Sequence, residues 1–123
     1  MKIENKVLVE VSNLDLVDNV CFVIPEGIRE IDVFAFYECS NLEEVRIPNS
    51  VTKIGKFAFD GCNSLEEVYI PNNMTKIDEF AFYGCISLQK VHMPNGVTEI
   101  GNGAFDRCSN LHQIMWRGEA LNI

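Results

Sequence analysis

The stretch at residues 48–70, PNSVTKIGKFAFDGCNSLEEVYI, decides the fold because it recurs. Pro25, Pro48, Pro71 and Pro94 stand 23 residues apart, and the residues between them keep step. The copies are 25–47 (PEGIREIDVFAFYECSNLEEVRI), 48–70, 71–93 (PNNMTKIDEFAFYGCISLQKVHM) and 94–116 (PNGVTEIGNGAFDRCSNLHQIMW). Such a period marks a repeat array, in which each unit buries its apolar side against its neighbours rather than alone.

Columns that stay apolar while their neighbours vary point inward. They are Ile28, Val51, Met74 and Val97; Ile31, Ile54, Ile77 and Ile100; and the constant Ala-Phe pair at 35–36, 58–59, 81–82 and 104–105. Cys39, Cys62, Cys85 and Cys108 follow, then Leu42, Leu65, Leu88 and Leu111, and then Val45, Val68, Val91 and Ile114. The alternation Glu67-Val68-Tyr69-Ile70 predicts a short strand with Val68 and Ile70 on one side, ended by Pro71, which lacks a ladder donor. The Glu-Gly, Asn-Ser, Asn-Asn and Asn-Gly pairs after each proline are turn chemistry. Val51-x-x-Ile54 then returns along the opposite side. The next column alternates Asp32, Gly55, Asp78, Gly101, which predicts a positive φ there. Phe57-Ala58-Phe59 reads as one tight helical turn, with only alanine small enough to meet the next rung.

Residues 1–24 lead into the array. Val7, Val9 and Val11 alternate with Leu8, Glu10 and Ser12 as a strand would. The run Val20 to Ile24 places Phe22 and Ile24 on the columns of Val45 and Ile47, so it is expected to pair with the array and the rest to cap the first rung. At the other end, Arg117 replaces the repeated proline and Trp116 the last inward isoleucine. Ala120 and Ile123 fall on the columns of Val97 and Ile100, so residues 117–123 read as a partial fifth repeat or a C-terminal cap.

The pattern I-P-x-x-V-T-x-I-x-x-x-A-F-x-x-C-x-x-L-x-x-V-x-I resembles the BspA-like leucine-rich repeats across residues 20–116. The resemblance implies a leucine-rich repeat solenoid of α/β class: a right-handed coil with short parallel strands on the concave face and short helical or irregular turns on the convex face. It also implies a cell-surface or secreted setting, binding of other proteins, no cofactor and no transferable catalytic residues.

Composition narrows the partners. Eighteen acidic residues against ten basic ones give a net charge of −8, which disfavours nucleic acid and anionic membranes. The longest apolar run, Val20-Cys21-Phe22-Val23-Ile24, is too short to span a bilayer. The N-terminal MKIENKVLVEVSNLD has neither a long apolar core nor a small-residue cleavage site, so the chain is expected either to be made without a secretory leader or to have lost one. With 47% hydrophobic and 10% aromatic residues, the chain is built to fold.

Four cysteines, one per rung, invite a metal. Rungs about 4.8 Å apart would put Cys39 and Cys108 about 14 Å apart, too far for one tetrahedral zinc. The expectation is buried free thiols acting as small hydrophobes, with disulfides between adjacent rungs the alternative. Cys21, off the column, is the thiol expected to be most exposed. His92 and His112 occupy different columns, no carboxylate–histidine spacing recurs, and no nucleophile motif or phosphate loop is present. Asp60 and Asp106 alternate with Tyr37 and Tyr83 as surface variation.

The outward rows of the concave strands are the better candidate. One runs Cys21, Glu44, Glu67, Lys90, Gln113; the next Val23, Arg46, Tyr69, His92, Met115; beside them lie Glu43, Glu66, Gln89 and His112. An acidic end flanking an aromatic pair suits a basic or amphipathic protein partner. Glu44, Arg46, Glu67, Tyr69, Lys90, His92 and Met115 are therefore the expected partner-binding residues. The alternatives are glutamates that only solubilise, and a structural fragment that self-associates through its repeat ends without a specific ligand.

Overall fold

The computed structural model describes residues 1–16 and 20–116, together with the backbone of residues 119–122. The chain coils into a β-solenoid in which each repeat is one rung. A strand of two residues and a strand of three lie on different sides of each rung. The two-residue strands are β4 (Glu30–Ile31), β6 (Lys53–Ile54), β8 (Lys76–Ile77) and β10 (Glu99–Ile100). They stack in parallel, with Ile31, Ile54, Ile77 and Ile100 in register. The three-residue strands are β5 (Glu44–Arg46), β7 (Glu67–Tyr69) and β9 (Lys90–His92), continued by β11 (Gln113–Trp116).

The lead-in contributes to both sides. β1 (Lys2–Glu4) and β2 (Val7–Glu10) form an antiparallel hairpin whose second strand pairs in parallel with β4, so Leu8 extends the isoleucine column. A 3-10 turn at Asn13–Leu16 buries Leu16. β3 (Cys21–Val23) pairs in parallel with β5. At the far end β12 (Glu119–Asn122) runs antiparallel to β11. The column match of Ala120 to Val97 therefore does not extend to the path of the chain, which runs antiparallel beside β11 at the edge of the same sheet; Arg117 and Ile123 lie outside the described residues.

The inward columns form one continuous core. Ile54, Phe59, Cys62, Leu65 and Val68 have no exposed surface. Phe36, Phe59, Phe82 and Phe105 stack ring on ring with centroids 4.6, 4.9 and 5.4 Å apart. Those spacings follow the strand repeat of about 4.8 Å, so the backbone dictates the stacking. The last rung is looser: Ile100, Phe105, Cys108 and Ile114 are half-buried.

The Ala-Phe segment is not a helical turn. Successive amides alternate between two kinds of acceptor. Phe57, Phe59 and Gly61 donate to Glu79, Ala81 and Tyr83 of the next rung, while Ala58, Asp60 and Cys62 donate to Gly55, Phe57 and Phe59 of their own. A helix would spend every amide within its own segment; here half of them bind rung to rung. Apart from Asn13–Leu16 there is no helix among the described residues.

Nor does the Asp/Gly column carry the positive φ expected of it. Apart from Asn5, Lys6 and Gly27, the left-handed residues are Phe34, Phe57 and Phe80 with Gly103, and Glu38 and Arg107 with Gly61 and Gly84. Gly55 and Gly101 answer to a close approach instead. A Cβ on Gly55 would lie 2.9 Å from the Val33 nitrogen, and one on Gly101 would run into the backbone of Asp78 and Glu79. The aspartates serve the turn below: Asp32 accepts the Val33 amide and Asp78 the Glu79 amide, both at 2.8 Å. The alternation is thus an aspartate that closes a turn and a glycine that lets the next rung lie on it.

None of the five cysteines is in a disulfide. Each column thiol donates to a carbonyl of the rung before: Cys39 to Val11, Cys62 to Phe36, Cys85 to Phe59 and Cys108 to Phe82, at 3.1–3.2 Å. Cys39, Cys62 and Cys85 are buried; Cys108, like Cys21, is half-buried. A thiol here fills the volume of a small hydrophobe and also satisfies a backbone acceptor.

Burial pushes the Cys39 thiol from its ordinary 9.0 up to about 11. The fold favours the neutral form, so this stabilisation is complete below pH 9.0 and is lost as pH rises towards 11. The melting temperature is expected to be flat across neutral pH and to fall within that window. Cys39→Ala should remove part of the fall, and its persistence unchanged in that variant would exclude this cause.

Candidate functional site

The outward rows of the strand face have the register expected of them. Cys21 lies beside Glu44 and Val23 beside Arg46. Glu67 lies beside Lys90 and Tyr69 beside His92; Gln113 and Met115 come next to Lys90 and His92. The face is not one sheet, however. β3 and β5 form a two-stranded piece, β7, β9, β11 and β12 a four-stranded piece, and β5 and β7 are not paired. The opposite side is continuous from β1 through β2, β4, β6 and β8 to β10.

The seam between β5 and β7 shows in single hydrogen bonds. Ile24 donates to Arg46, Ile70 to His92 and Met93 to Met115, at 3.0, 2.9 and 2.7 Å. Ile47 occupies the same column and its amide has no such acceptor. Amide hydrogen exchange at Ile47 is expected to be at least about tenfold faster than at Ile24, Ile70 and Met93. Equal protection at the four positions would mean that the seam is closed in solution.

A cleft of about 580 Å³ opens at the seam. Glu44, Arg46, Glu67, Tyr69 and Lys90 line it, with Glu43 and Glu66 at one side and the apolar Val45 and Ile47 below. His92 stands behind Tyr69: the two rings stack 4.1 Å apart, tilted by 3°. The His92 Nε2 meets a Glu67 carboxylate oxygen at 2.5 Å. That bond, helped by charge on His92 and Lys90 and by a hydrogen bond from Tyr69, holds the Glu67 carboxyl below the usual glutamate range. Tyr69 is 62% exposed, so its ring is fixed by the histidine yet open to contact. Met115 is half-buried beside His92 and does not line the cleft.

Charge separates this face from the opposite one. There the outward row Glu30, Lys53, Lys76, Glu99 neutralises itself, with Lys53–Glu30 at 3.5 Å and Lys76–Glu99 at 3.3 Å. On the strand face Arg46 is held by Glu44 at 3.1 Å, while Glu43, Glu66 and Lys90 form no ion pair among the described residues. Among the described residues no group of three His, Cys, Asp or Glu is placed to hold a metal ion, and no helix is long and apolar enough to cross a membrane.

The model for the BspA type leucine rich repeat region matches residues 13–123, in six copies. The chain belongs to the BspA-type leucine-rich repeat family. Its solved relatives share the coil. A leucine-rich repeat protein from Bacteroides capillosus is 28% identical with a TM-score of 0.81, over 91% of this chain and 86% of that one. A leucine rich cell surface protein from Faecalibacterium prausnitzii is 28% identical with a TM-score of 0.70, over 82% of this chain and 33% of its own length. The pneumococcal vaccine antigen PcpA is 25% identical with a TM-score of 0.83, over 89% and 26%. The BspA-type chain described here therefore spans about a third or less of the length of the last two. No curated protein matches it.

The seam was not readable in the repeats, since no column breaks between residues 44 and 67. A second feature could have been read. Phe34, Phe57 and Phe80 form an aromatic column of their own, ended by Gly103, on the turns between the two strand sides.

Proposed function

We propose that this chain is a non-catalytic, protein-binding repeat module that engages its partner at the β5–β7 cleft of the strand face. The cleft carries the reading: it combines an exposed, pre-stacked tyrosine, an apolar floor and, at Glu43 and Glu66, carboxylates that pair with no cation among the described residues. Rigid aromatic anchors in a recess supply binding energy at low entropic cost, and the negative field favours a basic segment. The likeness to a protein described as a cell-surface leucine-rich protein supports an outward-facing setting. Glu44, Arg46, Glu67, Tyr69 and Lys90 make contact, and His92 holds Tyr69. Met115 extends the surface along β11.

The test is a photo-crosslinking amino acid placed at position 69, with the same group at Leu14, an exposed residue away from the strand face, as control. Incubated with the cell surfaces the protein meets, the first should form a discrete adduct and the second none. Equal labelling from both positions, or adducts between copies of this chain only, would discard the reading in favour of a structural, self-associating fragment.

A further inference from the structure

The aromatic column on the turns forms a second surface, separate from the strand face. The Phe34, Phe57 and Phe80 rings stack at 5.1 Å and again at 5.1 Å, tilted by 5° and 10°. Phe34 is 46% and Val33 47% exposed. The ladder is finished differently at its two ends. At the C-terminal end Gly103 stands in for a fourth phenylalanine, and the Phe80 ring covers it. Tyr83 meets Phe80 edge-on at 5.8 Å, and the Arg107 guanidinium lies over the Tyr83 ring, also at 5.8 Å. The chain supplies its own cation to that tyrosine.

Tyr37 holds the place in its repeat that Tyr83 holds two rungs later, and it meets Phe34 edge-on at 5.3 Å. The residue that corresponds to Arg107 for Tyr37 is Gly61, which has no side chain to lay over the ring. Two carboxylates stand there instead. A Cβ on Gly61 would lie 3.2 Å from the Glu38 Cγ, so the Glu38 stem folds over that glycine. Glu38 and Asp60 both act on Tyr37, raising its hydroxyl pKa, Glu38 the more strongly. Neither carboxylate forms an ion pair among the described residues. A cleft of about 480 Å³ lies alongside, lined by Glu38, Gly61 and Asn63 with Asn13 and Ser40.

The geometry points to Tyr37, Glu38 and Asp60 as a receptor for an arginine side chain of a partner protein, its guanidinium over Tyr37 as that of Arg107 lies over Tyr83, and its neighbouring residues against Phe34 and Val33. Arginine fits better than lysine. Its plane stacks on an aromatic face and its fork serves two carboxylates at once. The repeat shows what fills such a place when the chain fills it itself.

The experiment is a titration of the 15N-labelled protein with the blocked tripeptide acetyl-Gly-Arg-Gly-amide, followed by amide chemical shifts, with the citrulline analogue as the uncharged isostere. The arginine peptide should shift Tyr37, Glu38, Asp60 and Gly61 saturably, and the citrulline peptide should bind at least about threefold more weakly. Tyr37→Phe should keep binding, and Tyr37→Leu should weaken it by a similar factor with its spectrum otherwise intact. Shifts confined to residues 43–47 and 66–69, equal binding of both peptides, or unchanged affinity in Tyr37→Leu would each overturn the proposal. Should Tyr37→Leu not fold, the position of the shifts and the citrulline comparison decide. None of these outcomes depends on whether the β5–β7 cleft binds a protein.

Discussion

Replacing Phe59 by alanine is expected to cost about 3–5 kcal/mol of unfolding free energy, measured by chemical denaturation. The ring has no exposed surface and lies between Phe36 at 4.6 Å and Phe82 at 4.9 Å. A cavity there cannot close by drawing the rungs together, because the backbone fixes their spacing: Phe36 donates to Ala58 at 2.6 Å and Phe59 to Ala81 at 2.7 Å. The cost in such a series rises with the volume that fails to collapse. It is a large part of the roughly 5–15 kcal/mol that holds a domain together. Phe105, half-buried on the last rung, should cost less when truncated. A loss below about 1 kcal/mol at Phe59 would mean that the column does not carry the core.

Gly101→Ala should destabilise by about 1–3 kcal/mol or more, and Gly101→Asp by at least as much. The added Cβ would come within 2.6 Å of the Asp78 carbonyl carbon and within contact of Glu79 backbone atoms. Backbone cannot step aside as a side chain can. The aspartate variant is the sharper test. A comparison of the repeats alone would call it conservative, since Asp32 and Asp78 occupy the same column. Gly84→Ala is the control: its added carbon meets nothing nearer than 3.9 Å, and only its left-handed backbone, φ +72, resists. It should cost about 1 kcal/mol. If Gly84→Ala proves the more damaging, positive φ and not rung contact limits this chain.

These expectations mark where the sequence could and could not be read. The inward columns were legible because every rung must bury the same positions, so Ile54, Phe59, Leu65 and Val68 repeat in kind. The strand-face register was legible for the same reason: once Val68 and Val91 point inward, Tyr69 and His92 must stand side by side outside. The reason for the Asp/Gly alternation was not, since a rung-to-rung distance leaves no mark within one repeat. The Ala-Phe turn was misread because two aromatic residues around an alanine also suit a helix. Only the next rung's carbonyls reveal where those amides go. The cysteine column was legible as buried thiols, but not as donors to the carbonyl below. The cleft brings Glu44, Arg46, Glu67, Tyr69 and Lys90 together through a seam with no sequence signature. The Phe34, Phe57, Phe80 column lay open in the strings VFAF, KFAF and EFAF.

The central claim, that the β5–β7 cleft is where a partner binds, has a direct measurement. Wild-type protein and a Glu44→Lys, Glu67→Lys variant, matched for melting temperature, are used for paired capture across a salt series with quantitative mass spectrometry. Both carboxylates line the cleft and Glu67 holds His92. The account predicts proteins that bind the wild type, bind less as salt rises, and fall at least about tenfold on the variant, the equivalent of 1.4 kcal/mol. The same proteins retained at equal yield on both would contradict it.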